Sequence, residues 1–86
     1  MSAYTEKEWE MKREYYLTKH AIRRMIKRRV NLQAYKIVLN YGEHEETDTG
    51  ATVIKGTNDL NRYGRTDVDH LNIVIRDNAV VTVYYG

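Results

Sequence analysis

Eighty-six residues without a cysteine, carrying a formal charge of +2, exclude a large part of protein function space. A chain of this length buries only about 60% of the surface its unfolded form exposes, so one modest core is its limit; without thiols it has neither a disulfide framework nor a thiolate metal site. No stretch approaches the roughly 18 consecutive apolar residues of a membrane span, and the start MSAYTEKEWE lacks the apolar run of a secretion signal. The expectation is a single cytoplasmic domain over residues 1–86 with no membrane partner.

Thr5 with Glu8 three residues on forms a capping box ahead of Trp9 and Met11, predicting a helix over about 5–14. Tyr15-Tyr16-Leu17-Thr18 is aromatic and β-branched, which weakens helix continuation, and Thr18 is a good N-cap for a second helix over about 19–29. Val30 and Asn31 supply a break and a fresh cap. Leu32, Tyr35, Val38 and Leu39 then form an apolar stripe that ends at Gly42, a natural residue for the position after a helix.

Beyond Gly42 the apolar period changes from 3.6 to 2. Residues 43–48 and 52–55 predict a hairpin around Thr49-Gly50, and Leu71, Ile73 and Ile75 alternate up to Asp77-Asn78, a two-residue turn into the alternating run Ala79 to Tyr85. Between the hairpins, residues 56–69 read as a long Asn-, Gly- and Asp-rich loop, either mobile or functional. With no proline and no repeat, nothing divides the chain. The order α-α-α-β-β-β-β predicts an α+β fold: N-terminal helices packed on a four-stranded, mainly antiparallel sheet.

Charge is unevenly distributed. Residues 18–36 hold Lys19, Arg23, Arg24, Lys27, Arg28, Arg29 and Lys36 and no acid, whereas residues 43–48 hold Glu43, Glu45, Glu46 and Asp48. A basic face on a nearly neutral body fits contact with RNA or another polyanion, and equally a solvated helix face. At about 100° and 1.5 Å per residue, His20, Arg24 and Arg28 form a narrow stripe with steps of about 6 Å, which a phosphate can bridge. Leu17, Ala21 and Met25 run beside it, with Ile22 and Ile26 further round, so the stripe borders the core, where clefts form.

If Thr18 caps this helix, His20 lies in its first turn. The positive helix end and the surrounding cations then both favour a neutral imidazole able to accept a proton. That suits RNA cleavage without a metal: attack by a ribose 2′-OH needs a base, a proton donor for the leaving oxygen, and cations on the phosphorane. The competing reading is a capping or packing histidine.

The run from Leu17 to Val30, with His20-Ala21, Arg24-Met25, Arg28 and Val30 in place, resembles the signature H-A-x-x-R-M-x-x-R-x-[IV] of a family of small prokaryotic and phage proteins known as a domain of unknown function. Val80-Val81-Thr82-Val83-Tyr84 is similar to its closing V-T-V-Y strand. The likeness covers residues 16–85, leaving 1–15 as an added N-terminal segment. In layout the family is similar to the barnase, EndoU, colicin and RelE-like superfamily of metal-independent RNA-cleaving toxins. The resemblance implies His20 as general base or acid, Arg24 and Arg28 as phosphate ligands, and Thr82 and Tyr84 as further catalytic groups, with no cofactor.

Period-2 alternation puts Thr82 and Tyr84 on one sheet face with Val80 beside them; the alternative for Tyr84 is an aromatic packed on the sheet. Lys27 adds charge to the helix. Arg62 and Arg65, with Tyr63, lie in the long loop, which departs from the family pattern; they add RNA contacts, hang in solvent, or block the site. His44, Glu46 and Asp48 at i, i+2, i+4 of a strand are conceivable hard-metal ligands, but acids on a short edge strand more simply prevent edge-to-edge pairing. His70 beside Asp69 reads as structural.

No phosphate-binding glycine loop, nucleophile elbow or H-E-x-x-H is present, which removes nucleotide hydrolases, serine hydrolases and zincins. Three roles remain: a metal-independent endoribonuclease-like domain; a non-catalytic phage or mobile-element binding module that contacts nucleic acid or an acidic protein partner; and a structural or regulatory role in which Trp9, Tyr15 and Tyr16 mediate dimerisation or docking. An inhibitory or target protein is a further expected partner.

Overall fold

The structure, a computed structural model, describes residues 15–63 and 67–86. The helix expected over 5–14, with Trp9, and the loop residue Arg65 lie outside the described residues. Helix α1 spans Lys19–Lys27 and α2 spans Leu32–Tyr41. Both start at their expected caps: the Thr18 hydroxyl accepts from the Ala21 N–H, and the Asn31 carboxamide oxygen accepts from the N–H groups of Gln33 and Ala34.

Helix α1 stops at Lys27, short of the expected residue 29. Arg29 takes a left-handed conformation, φ +53°, so that its N–H donates to the Ile26 carbonyl and the Val30 N–H donates to that of Met25. This is a Schellman ending with arginine in the place glycine prefers. At the end of α2 the reverse holds. Gly42 has φ −67°, and its glycine identity answers to space: a Cβ there would stand 2.5 Å from the Val38 carbonyl oxygen and 2.7 Å from Ile54 Cγ2.

The sheet has five strands in the order β1-β5-β4-β3-β2: β1 Tyr16–Leu17, β2 Glu43–Glu46, β3 Thr52–Lys55, β4 Leu71–Arg76 and β5 Ala79–Tyr85. The two expected hairpins form, and β3 pairs antiparallel with β4. Asp77 and Asn78, at φ +52° and +62°, make the tight turn that matches strand twist. The count of four is corrected by β1, which pairs parallel with β5 through Tyr16↔Ala79 and Leu17↔Val80. Two residues are too short to show alternation, so the aromatic, β-branched run carried no visible strand period.

Ile54, Leu71, Ile73, Val80 and Val83 build the core under Ala21 and Met25 of α1 and Ala34, Tyr35 and Val38 of α2. The segment expected as a long open loop helps to close this core. It forms two 3-10 turns, Asn58–Tyr63 and Val68–His70, with Leu60 and Val68 buried. Gly56 meets the second turn so closely that a Cβ would stand 1.4 Å from the Val68 carbonyl oxygen. Tyr63 stacks on Tyr41 with ring centroids 5.2 Å apart, and Arg62 lies 5.3 Å from the Tyr63 ring centre. Ile22 and Ile26, expected near the core, are 41% and 73% exposed, because α1 turns its other flank to β5.

Two outcomes are expected. Burial pushes the Tyr35 hydroxyl up to about 12, so the fold favours the neutral phenol over the phenolate. Stability is therefore intact below pH 10 and falls as pH rises from about 10 to 12, by on the order of 2–3 kcal/mol. Tyr35→Phe should flatten that decline in urea titrations, and an equally steep decline in the variant would refute the assignment. Arg29→Gly should raise the urea midpoint by the equivalent of about 0.5–1 kcal/mol, because glycine takes a positive φ without steric cost.

Candidate functional site

The site is built on a joint between the start of α1 and β5. The Thr18 N–H and hydroxyl both donate to the Val80 carbonyl, at 3.3 Å and 2.7 Å, while the same hydroxyl oxygen caps α1 at 3.1 Å from the Ala21 nitrogen. One side chain thus fixes where the helix begins and to which strand it is tied.

Past Val80 the chain leaves β1 for the helix. Among the described residues no strand then pairs with Val81–Tyr85 on that edge. α1 flanks the uncovered edge, and between them lies an open groove of about 740 Å³ lined by His20, Arg24, Arg28, Thr82, Tyr84 and Tyr85.

A register shift explains the strand's contribution. Val74 faces Thr82 whereas Ile75 faces Val80, so Val81 is an extra residue, a β-bulge. The bulge turns both Val80 and Val83 toward the core, each fully buried, and leaves Thr82 and Tyr84 on the opposite face. The expectation that Val80 accompanies Thr82 and Tyr84 is therefore corrected; strict alternation does not survive an inserted residue.

Within the groove, Arg28 Nη1 donates to the Val83 carbonyl at 2.7 Å. This bond occupies one arm of the guanidinium and caps a carbonyl that the open edge would otherwise leave to solvent. Arg24 Nε donates to His20 Nε2 at 3.3 Å, a bond that exists only with an unprotonated Nε2. The imidazole proton is then on Nδ1. Among the described residues the hydroxyls of Thr82 and Tyr84 have no hydrogen-bond partner.

The residues singled out from sequence divide clearly. His20, Arg24, Arg28, Thr82 and Tyr84 meet in one groove, joined by Tyr85, which alternation hides because it lies on the other face at the strand's end. Lys27 is exposed and lies outside the lining. Arg62 is engaged over Tyr63, and the 3-10 turns that carry it pack on α2 and each other. That part of the loop neither lines nor blocks the groove.

The acidic strand does not assemble the three-residue face considered for it. β2 ends at Glu46, and Asp48 sits in the turn. Glu45 pairs with Lys55 at 3.1 Å, and Glu46 accepts from the Thr52 hydroxyl. Among the described residues no three His, Cys, Asp or Glu side chains come together to hold a metal ion. No described helix is long and apolar enough to cross a membrane.

Comparison with known protein families, with characterised proteins and with solved structures finds no match to this chain.

The Thr18 joint gives a direct expectation. Thr18→Ala removes the cap and the hydroxyl bond to Val80 and should cost about 1–3 kcal/mol in urea unfolding. Thr18→Ser, which keeps the hydroxyl, should restore most of it; equal losses in the two variants would show that the methyl group, and not the double hydrogen bond, makes the joint.

Proposed function

We propose that this groove binds the phosphate backbone of RNA and supports its cleavage without a metal cofactor. The observation that carries the proposal is the meeting of His20, Arg24 and Arg28 with the hydroxyls of Thr82 and Tyr84 in one open groove. Those are the group types that transesterification requires. His20 Nε2 takes the proton of the ribose 2′-OH as its oxygen bonds to phosphorus. The bond from phosphorus to the 5′ oxygen breaks, and Tyr84 donates a proton to that leaving oxygen. Arg24 and the free arm of Arg28 hold the charge that builds on the phosphorane, and Thr82 donates to a non-bridging oxygen. The products are a 2′,3′-cyclic phosphate and a 5′-hydroxyl end. The likeness of the helix and final strand to the small phage and prokaryotic family, and through it to RNA-cleaving toxins, supports the same reading.

A second reading has its own observation. Arg24 occupies the His20 lone pair and Arg28 is tied to Val83, an arrangement that also suits a module that holds nucleic acid or an acidic protein without reacting.

One experiment separates the two. A nuclease cleaves RNA in EDTA and loses at least about a hundredfold in rate with His20→Ala, while affinity changes little; for a binder His20→Ala is silent and Arg24→Ala weakens binding. In either case log affinity for single-stranded RNA should fall with log salt at about −0.7 per phosphate engaged, near −3 for about four contacts. A flat salt response would sink both readings.

A further inference from the structure

We propose that the groove takes up its anion together with one proton, so that its preferred ligand is a doubly charged phosphoryl group. The inference rests on the reading that the groove binds phosphate, and it specifies which phosphate and in what protonation state.

The argument begins with the bond between Arg24 Nε and His20 Nε2. In this arrangement the neutral imidazole serves as an acceptor that holds the guanidinium in place. Protonation of Nε2 turns the acceptor into a donor, and the bond cannot persist. Arg24 Nε is then released, and two cations stand side by side on the solvent-exposed flank of α1.

Among the described residues, nothing that lines the groove compensates that pair. From α1 the facing groups are Arg24 and Arg28, with Lys19, Arg23 and Lys27 further round the same helix; from β5 they are Thr82, Tyr84 and Tyr85. No carboxylate is among the described residues that line it. The protonated state therefore sets two adjacent cations in the groove, and an anion bound there favours that state. The two bindings are linked and each strengthens the other.

Donor count and charge then select the ligand. With one arm of Arg28 committed to Val83, the groove offers the Arg24 fork, the imidazolium Nε2–H and the hydroxyls of Thr82 and Tyr84. A phosphodiester presents two non-bridging oxygens and a single charge. A phosphate monoester presents three oxygens and, above its second ionisation near about 6, nearly two charges. It matches Arg24 and protonated His20 charge for charge. The phosphorane of an attacked diester has comparable charge, so the same selectivity serves transition-state stabilisation if the groove is catalytic.

The test is calorimetric titration of the full chain between pH 8 and 6.5 with inorganic phosphate, a nucleoside 3′-monophosphate, and a dinucleoside monophosphate as the diester, each in two buffers of different ionisation heat. The expected result is monoester affinity rising as pH falls, up to the linkage limit of about tenfold per pH unit, with uptake of a fraction of a proton that approaches one at the upper end of the range. The diester should change by less than about threefold. In His20→Gln, whose amide oxygen can still accept from Arg24, the proton uptake near pH 8 should vanish and the remaining pH dependence should follow only the ligand's own second ionisation, while a weaker monoester affinity persists.

A nucleotide held more tightly than inorganic phosphate would assign the ligand to a nucleic-acid end, and equal affinities would assign it to the phosphoryl group itself; both uphold the inference. Monoester binding without proton uptake, or diester and monoester held equally, would overturn it while leaving RNA binding intact. Failure to bind any of the three probes or RNA would remove both.

Discussion

The carbonyl of Val80 carries the architecture of this small domain. It accepts from the Thr18 N–H and from the Thr18 hydroxyl, at the point where β1 stops and α1 begins. A hydrogen bond of this kind contributes only about 1 kcal/mol net, yet its geometric consequence is larger than its energy. It fixes the helix start at one position along β5, so the steps of about 6 Å along α1 bring His20, Arg24 and Arg28 successively past the uncovered half of the strand. Displacing the joint by one residue would rotate the helix by about 100° and point the stripe elsewhere.

The same strand solves a second problem one residue later. A core strand that alternates strictly cannot bury both Val80 and Val83, and the bulge at Val81 lets it do so. The price is an extra residue in the strand, and Thr82 and Tyr84 face the groove as a result. Arg28 completes the arrangement by capping the Val83 carbonyl on the open edge. The groove is therefore bounded by the devices that keep β5 from remaining an unprotected edge: Thr18 at one end, Arg28 along its length, and α1 beside it.

Local chemistry made much of this legible in the sequence. The caps Thr18 and Asn31, the turn Asp77-Asn78 and the hairpin around Thr49-Gly50 act through their immediate neighbours, and each lies where its residues predict. His20, Arg24, Arg28, Thr82 and Tyr84 converge for the same reason: helical and strand periods set their faces, and the joint does the rest. What remained hidden depends on partners distant in sequence. β1 is two residues long and is a strand only because β5 lies beside it. The bulge reflects a conflict between β5 and the core under α1. The segment read as an open loop buries Leu60 and Val68, two apolar residues in a polar stretch, whose place is decided by the space beneath α2. Gly42 ends its helix as expected but for a different physical reason, since it answers to Ile54 and Val38 and not to a left-handed backbone.

The opposite ends of the sheet divide its electrostatics. Strand order places β2, with Glu43, Glu45 and Glu46, at the edge farthest from β1, while α1 and its cations flank β5 near the other. Part of the acidic charge is satisfied locally, Glu45 by Lys55 and Glu46 by Thr52, whereas among the described residues no acid lines the groove. A nearly neutral chain thus maintains a locally cationic groove through topology: the sheet keeps the two charge sets apart, beyond the roughly 8–10 Å over which salt screens them. The hydrogen bond from Arg24 to His20 is the groove's internal answer to that concentration of charge, because a neutral imidazole accepts what a cationic one would repel. An anion can replace that acceptor, and it is the groove's chemistry toward such an anion that the arrangement of α1 on β5 defines.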